Sequence, residues 1–238
     1  MRIVVVGGVA GGMSCAARAR RLDEDAQIVV LEAGEHVSFA NCGLPYYVGG
    51  EIDDEQRLLV QTPASLRASL NLDVRTRSEV IGLDTARHSV SVRSAGATTQ
   101  LTYDALVLAP GAVALRPPID GLDSPRVRTL RTVDDAIDLQ AIVSGGARHG
   151  VVLGAGFIGL EAAEALARQG LDVTVVELAE HVLRPLETET AHYVTAELRR
   201  LGVTVRAGIG ATRIEHNQAR DTVVLTDGTR LPADVVVA

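Results

Sequence analysis

Val151-Val-Leu-Gly154-Ala-Gly156-Phe-Ile-Gly159 is the stretch on which the fold turns. An uninterrupted apolar run of this kind reads as a buried parallel strand, and the three glycines that follow fit the spacing G-x-G-x-x-G. Leu160 to Gln169 then carries a helical pattern, Gly170 supplies the helix stop, and Asp172 to Val176 is a second strand closed by Glu177. The order strand, glycine turn, helix, strand, acid is that of a dinucleotide-binding βαβ unit. Glycines let the backbone reach a pyrophosphate at the helix N-terminus, and the acid takes the ribose hydroxyls. A carboxylate at Glu177 favours free hydroxyls over a 2′-phosphate, so NADH is expected ahead of NADPH; Arg184, shortly after, is the residue that argues the other way.

The same order occurs nearer the start of the chain. Arg2 to Val6 is a β-branched run, Gly7-Gly8-Val9-Ala10-Gly11-Gly12 follows, Met13 to Leu22 is helical, and Gln27 to Leu31 ends at Glu32. Here Val9 stands where the middle glycine belongs, and taken alone the loop also reads as a plain strand-to-helix turn. Between the two units, Ser78 to Thr102 alternates in the manner of a small antiparallel meander, as in Ser89-Val-Ser-Val92. Tyr103-Asp-Ala-Leu-Val-Leu-Ala109-Pro110-Gly111 is a strand that can return the chain to the first sheet. The expected fold is therefore α/β: two Rossmann-like domains, each a parallel sheet flanked by helices with a small antiparallel meander, spanning residues 1–113 and 114–238.

Composition excludes several function classes. Of 238 residues, 47% are apolar and 22% charged, enough for a substantial core, and a net charge of -7 gives no sign of a nucleic-acid partner. No apolar run has the length of a membrane span, and Ile3 to Val6 is cut by Gly7-Gly8, too short for a signal-peptide core, so a soluble cytoplasmic protein is expected. The six histidines show no metal-ligand spacing and no metal is expected. His181 reads as an exposed loop residue, Glu161 and Glu164 as a polar helix stripe, and Cys15 as a small buried filler.

The second cysteine is different. Cys42, in Ser38-Phe-Ala-Asn-Cys42-Gly-Leu-Pro-Tyr46, follows directly after the first nucleotide unit and has no second thiol nearby. A lone redox cysteine cannot close on a neighbour, so it must cycle through a mixed disulfide, a persulfide or a sulfenic acid. Gly43 permits close approach, and a helix beginning after Cys42 would stabilise a thiolate through its N-terminal dipole. Tyr46 and Tyr47 either line the sulfur site or cap the core beside Pro45.

The segments Gly7 to Gly12, Ser38 to Tyr46 and Tyr103 to Gly111 together resemble the FAD-dependent pyridine nucleotide-disulfide oxidoreductases. Within that family they are similar to the coenzyme A-disulfide reductases and single-cysteine NADH oxidases, where Val in the first loop is the expected residue. The resemblance covers the whole chain. It implies FAD on Gly7, Gly8, Val9, Ala10, Gly11, Gly12, Glu32, Ala33, Val80, Ala109, Pro110, Gly111 and Arg131, and NADH (or NADPH) on Gly154, Ala155, Gly156, Phe157, Ile158, Gly159 and Glu177, with Glu161 shaping the nicotinamide side. Electrons would pass from NADH through FAD to Cys42, and then to a CoA-based disulfide or persulfide. The coenzyme A ligand maps onto Ser14, Arg18, Arg21, Ser38 and Asn41; Arg18 and Arg21 read equally as a solvated helix face. Where some relatives carry a lysine before the strand Asp73 to Arg75, this chain has Ser69-Leu70-Asn71. The rival enzyme reading is an NADH oxidase or peroxidase that uses a Cys42 sulfenic acid, and the rival of another class is a nucleotide-binding fragment without turnover. Asp234 to Ala238 resembles the strand that leads back from the NADH domain, so the last flavin-binding segment and the C-terminal dimerisation domain are expected to be missing; the longer protein would be a homodimer.

Overall fold

Strand parity decides what lies on each side of the sheets. In the first apolar run, β1 (Arg2–Val6), Ile3 and Val5 are buried against helical residues, while Val4 is buried on the opposite side. Successive side chains of a strand point to opposite faces, so an unbroken apolar run demands cover on both. The computed structural model describes residues 1–238 and supplies that cover in each of two compact units.

The first unit comprises Met1–Ala40 and Gln56–Val113. From β1 the chain passes through α1 (Ala10–Leu22) to β2 (Gln27–Leu31) and, with a later helix α3 (Pro63–Leu70), to β3 (Asp73–Arg75). The antiparallel meander β4 (Glu79–Asp84), β5 (Ser89–Ser94) and β6 (Ala97–Thr102) precedes β7 (Ala105–Leu108). The parallel sheet has the order β3-β2-β1-β7, with Val4 opposite Val29 on one side and Leu106 on the other. Ile3, Val5, Ile28 and Val30 pack with Met13 and Ala16 of α1 and Leu66 of α3. Val4, Val29 and Leu31 pack instead with Val90 and Val92 of the meander. Helices, parallel sheet and meander thus form three layers around two apolar cores.

The second unit, Asn41–Glu55 with Ala114–Ala238, repeats the scheme. Its elements are α2 (Leu44–Val48), β8 (Val127–Arg128), α4 (Val133–Ser144), β9 (His149–Leu153), α5 (Phe157–Arg168), β10 (Asp172–Glu177), α6 (Thr188–Arg200) and β11 (Thr204–Ala207). The meander β12 (Ala211–Glu215), β13 (Asp221–Leu225) and β14 (Arg230–Ala233) leads into β15 (Val235–Val237). The parallel order is β11-β10-β9-β15-β8. Val151, Val176 and Val236 face Ile214, Val223 and Leu225 of the meander. On the other side, Gly150 lies against Leu166 of α5; an added Cβ there would come within 3.2 Å of the leucine.

The first meander, both parallel sheets and the strand Asp234 to Ala238 appear where the sequence predicts them, and the second meander, expected but not placed, is β12 to β14. Two details differ. Cys15 is half-buried, because the buried stripe of α1 runs through Met13, Ala16 and Arg20 and leaves Cys15 on its flank. Gly170 is not the cap residue itself: Gln169 caps α5, and Gly170 follows in the left-handed region at φ +85°.

Candidate functional site

The two glycine loops have the same internal wiring. Gly7 and Gly154 both take positive φ, +99° and +104°. The last glycine of each loop lies against the carbonyl oxygen of the first, where a Cβ would stand 1.8 Å away at Gly12 and 2.1 Å away at Gly159. A side chain at either place would push the helix off its strand.

The acid that ends the second strand closes each loop. Glu32 accepts from the Gly8 N–H at 2.7 Å and the Gly34 N–H at 2.8 Å. Glu177 accepts from the Ala155 N–H at 2.6 Å and the Ala179 N–H at 2.8 Å. Each carboxylate has acceptor positions left for hydroxyl donors, since two oxygens offer about four lone-pair sites.

Helix capping separates these loops from the turns before α3 and α4. α3 and α4 begin with complete capping boxes, Thr62 with Ser65 and Thr132 with Asp135. α1 and α5 begin at Val9 and Gly156 with no side-chain cap and no acidic residue in the first turn. Their first N–H groups therefore remain as donors at the positive end of the helix dipole, which suits a pyrophosphate. Space agrees with charge. A Cβ on Gly154 or Gly156 would meet nothing within 4 Å, and one on Gly11 only the Ala109 side chain at 3.7 Å. The residues present fit one dinucleotide on each unit.

The remaining flavin-side candidates divide by environment. Ala109 N–H bonds to Val6 O and its carbonyl is what holds Gly7 free of a side chain, whereas Pro110 and Gly111 are exposed. Val80 packs in the meander core and Ala33 is exposed. Arg131 belongs to the second unit, in the turn before α4, where its N–H donates to Asp135. Among the residues expected to meet NADH, Phe157 and Ile158 stand 65% and 55% exposed, and Glu161 is exposed as well. Arg184 is exposed.

Val9 has a use of its own. Together with Ser14, Ser38, Phe39, Gln61 and Ser69 it lines a groove of about 460 Å³ between α1 and α3. Ser38 is held there in the left-handed region, φ +48°, by its N–H to Gly8 O at 2.9 Å and by the Val60 N–H donating to its carbonyl at 2.9 Å. A non-glycine residue in that region is maintained only by surroundings that over-determine it. Arg18 and Arg21 are exposed on α1. Between them Arg20, which the sequence reading passes over, is 8% exposed and donates to the carbonyls of Leu70, Asp23, Glu24 and Asn71. It ties the ends of α1 and α3 together and so fixes the groove. Nothing in the run Arg18 to Arg21 distinguishes it except its place on the buried stripe with Met13 and Ala16.

Asn41, Cys42 and Gly43 form one 3₁₀ turn that leads into the five-residue α2, with Asn41 and Cys42 exposed. Leu44, Pro45 and Val48 are buried as α2 packs on α4 and α5, and Glu51 pairs with Arg168 of α5 at 3.5 Å. The cysteine is thus mounted on the second unit. Tyr46 is 51% exposed; burial, aided by Glu55 and Asp54, pushes the Tyr47 phenol above its usual range and keeps it protonated. Cys15 and Cys42 are both free thiols.

Comparison with known proteins agrees with this geometry. The family model described as pyridine nucleotide-disulphide oxidoreductase matches residues 1–238. The chain belongs to this family. A coenzyme A disulfide reductase of Staphylococcus haemolyticus is 38% identical over 201 residues, 83% of this chain and 45% of the relative. An NADH oxidase of Methanocaldococcus jannaschii is 33% identical over 240 residues, 100% of this chain and 53% of the relative. Among solved structures, an NAD-dependent persulfide reductase from A. fulgidus superposes with a TM-score of 0.96 at 39% identity, over 100% of this chain and 45% of that one. The reduced CoADR-RHD of Bacillus anthracis gives 0.95 at 40%, over 99% and 43%. This family member therefore spans about half the length of the relatives it matches.

Glu161 and Glu164 are the polar stripe expected, Glu164 pairing with Arg168 at 2.8 Å. His181 is a correction. It is half-buried, not exposed, because its Nδ1 donates to the Val182 carbonyl at 2.9 Å and folds the ring back onto the protein. No helix is long and apolar enough to cross a membrane.

Proposed function

We propose that the chain is the dinucleotide-binding part of a cytoplasmic, homodimeric reductase that passes electrons from NADH to Cys42 and on to a CoA-based disulfide or persulfide. Residues 1–113 would hold FAD and 114–238 NADH, with Asn41–Glu55 packing among the latter. The observation that carries the substrate reading is the groove lined by Val9, Ser14 and Ser38, open between two helices whose ends Arg20 binds together. A groove of about 460 Å³ has the size of a small-molecule site. Arg18 and Arg21, exposed along the same helix, would meet phosphates at its mouth.

Bound FAD supplies a two-electron relay between nicotinamide and sulfur. The protein's own part lies at Cys42. In the resting state its Sγ is joined to a CoA sulfur; two electrons and one proton break that bond, releasing one CoA thiol and leaving the Cys42 thiolate. The thiolate then attacks CoA disulfide, re-forming the mixed disulfide and releasing the second CoA as a thiolate that takes up a proton. One NADH, one proton and one CoA disulfide become one NAD⁺ and two CoA thiols. A single exposed thiol with no neighbouring cysteine can run this cycle and cannot run a dithiol one.

Mass spectrometry of the protein as isolated tests the reading. A CoA-sized adduct on Cys42, lost on treatment with NADH, is expected, and Cys42→Ser should abolish disulfide reduction while keeping FAD. An added oxygen in place of CoA would transfer the chain to the oxidase and peroxidase side. Unchanged turnover in Cys42→Ser would make the thiol structural.

A further inference from the structure

A cavity of about 580 Å³ lies in the second unit beside α6 and β11, away from the glycine loop. Its charged lining is two arginines, Arg199 and Arg206, against one carboxylate, Glu180, with His181 and His192 beside them. Arg206 Nε is buried with no hydrogen-bond partner. Asp227, held low first by the Thr229 N–H and hydroxyl, also feels the Arg206 charge but forms no ion pair with it. Arg199 is in no ion pair; Glu197, two residues before it, pairs with Arg200 at 3.0 Å. Because His181 donates its Nδ1 hydrogen to the Val182 carbonyl, Nε2 of the neutral ring is left as an acceptor, suited to a protonated phosphate oxygen. A buried donor without a partner carries a desolvation cost that a ligand can remove.

We propose that this cavity is an anion site that takes a phosphate group, with Arg206 and Arg199 supplying charge and paired N–H donors and His181 Nε2 accepting from a phosphate hydroxyl. A planar guanidinium matches a phosphate with paired N–H donors, and two such side chains line this one volume. The phosphate has two possible sources. The cavity borders the end of β10, where the Ile209 N–H donates to Glu177 O at 3.1 Å and the Gly208 N–H to Ala179 O at 2.7 Å. A 2′-phosphate on the adenosine ribose of NADPH would enter from that side, a source that rests on the dinucleotide reading above and runs against the NADH preference expected from Glu177. A free phosphorylated metabolite would need no dinucleotide.

Isothermal titration of the full chain with inorganic phosphate decides the matter. Phosphate should bind at millimolar concentration, Arg199→Gln and Arg206→Gln should each weaken it about tenfold, and Glu180→Gln should tighten it. The gain at Glu180→Gln cannot come from misfolding, and a thermal melt checks the two arginine variants. Phosphate that displaces NADPH but not NADH identifies the 2′-phosphate source; phosphate that binds alongside both identifies a separate metabolite. If neither dinucleotide binds, the NADH reading falls while the phosphate titration still stands. Absence of phosphate binding, or affinity unmoved by all three substitutions, overturns the site.

Discussion

Gly156 and Gly159 stand three positions apart in one loop and answer different needs. Gly159 sits on the Gly154 carbonyl oxygen, so its missing side chain is a packing requirement of the fold. Gly156 has extended backbone at φ -76°, which any residue adopts, and open space where its Cβ would be. Its missing side chain is a requirement of something outside the protein. Gly156→Ala should therefore leave the fold intact or raise its stability by about 0.4–1 kcal/mol through the unfolded chain, while weakening NADH binding. Gly159→Ala should lower stability by about 1–3 kcal/mol and lose NADH as well. Thermal melts paired with NADH titrations check both; equal loss of stability in the two variants would refute the distinction. Val9 is the contrast in the first unit. At the position equivalent to Gly156 a side chain is tolerated, and there it becomes one wall of the groove.

Single turns can bind whole elements together, and Asp234 is the clearest case. Its Oδ2 accepts from the N–H groups of Arg148 and His149, at 2.9 and 3.0 Å, and lies 3.1 Å from the His149 ring Nδ1. These contacts fasten the turn between β14 and β15 to the start of β9, the strand that feeds the glycine loop. Burial acts to raise the Asp234 pKa, but the hydrogen bonds from Arg148 and His149, with the charge of Arg220, outweigh it and hold the carboxyl below its ordinary 3.8. A depressed folded-state pKa adds stability that is fully present above the unfolded value and is lost as pH falls through the folded one. Asp234→Asn should thus destabilise the protein by about 1–3 kcal/mol at neutral pH, and the gap from the parent should narrow as pH falls below the ordinary 3.8. Urea unfolding at several pH values measures this, and a gap that widens in acid would contradict it.

Across the whole molecule, what could be read in the sequence was whatever rests on local spacing. Both glycine loops, both closing acids and the first meander have short-range signatures, because strand period and turn chemistry are local. The groove at Val9, the Arg20 clamp and the cavity at Arg206 have none: each joins side chains far apart in the chain, and a buried arginine looks like an exposed one until its carbonyl partners are in place. The mounting of Cys42 was hidden for the same reason. Leu44, Pro45 and Val48 must be buried, but nothing in Ser38 to Tyr46 says that α4 and α5 bury them. Two units with one wiring plan suggest two nucleotide sites that answer to different acids. Glu32→Gln removes half of one carboxylate clamp and Glu177→Gln half of the other. The first should yield protein depleted of FAD, by absorbance near the flavin bands, with NADH affinity unchanged. The second should keep its FAD and bind NADH about tenfold more weakly, the cost of one charge-assisted hydrogen bond. Loss of both nucleotides in either variant would mean that the two loops do not act as independent sites, and the assignment of one dinucleotide to each would fall.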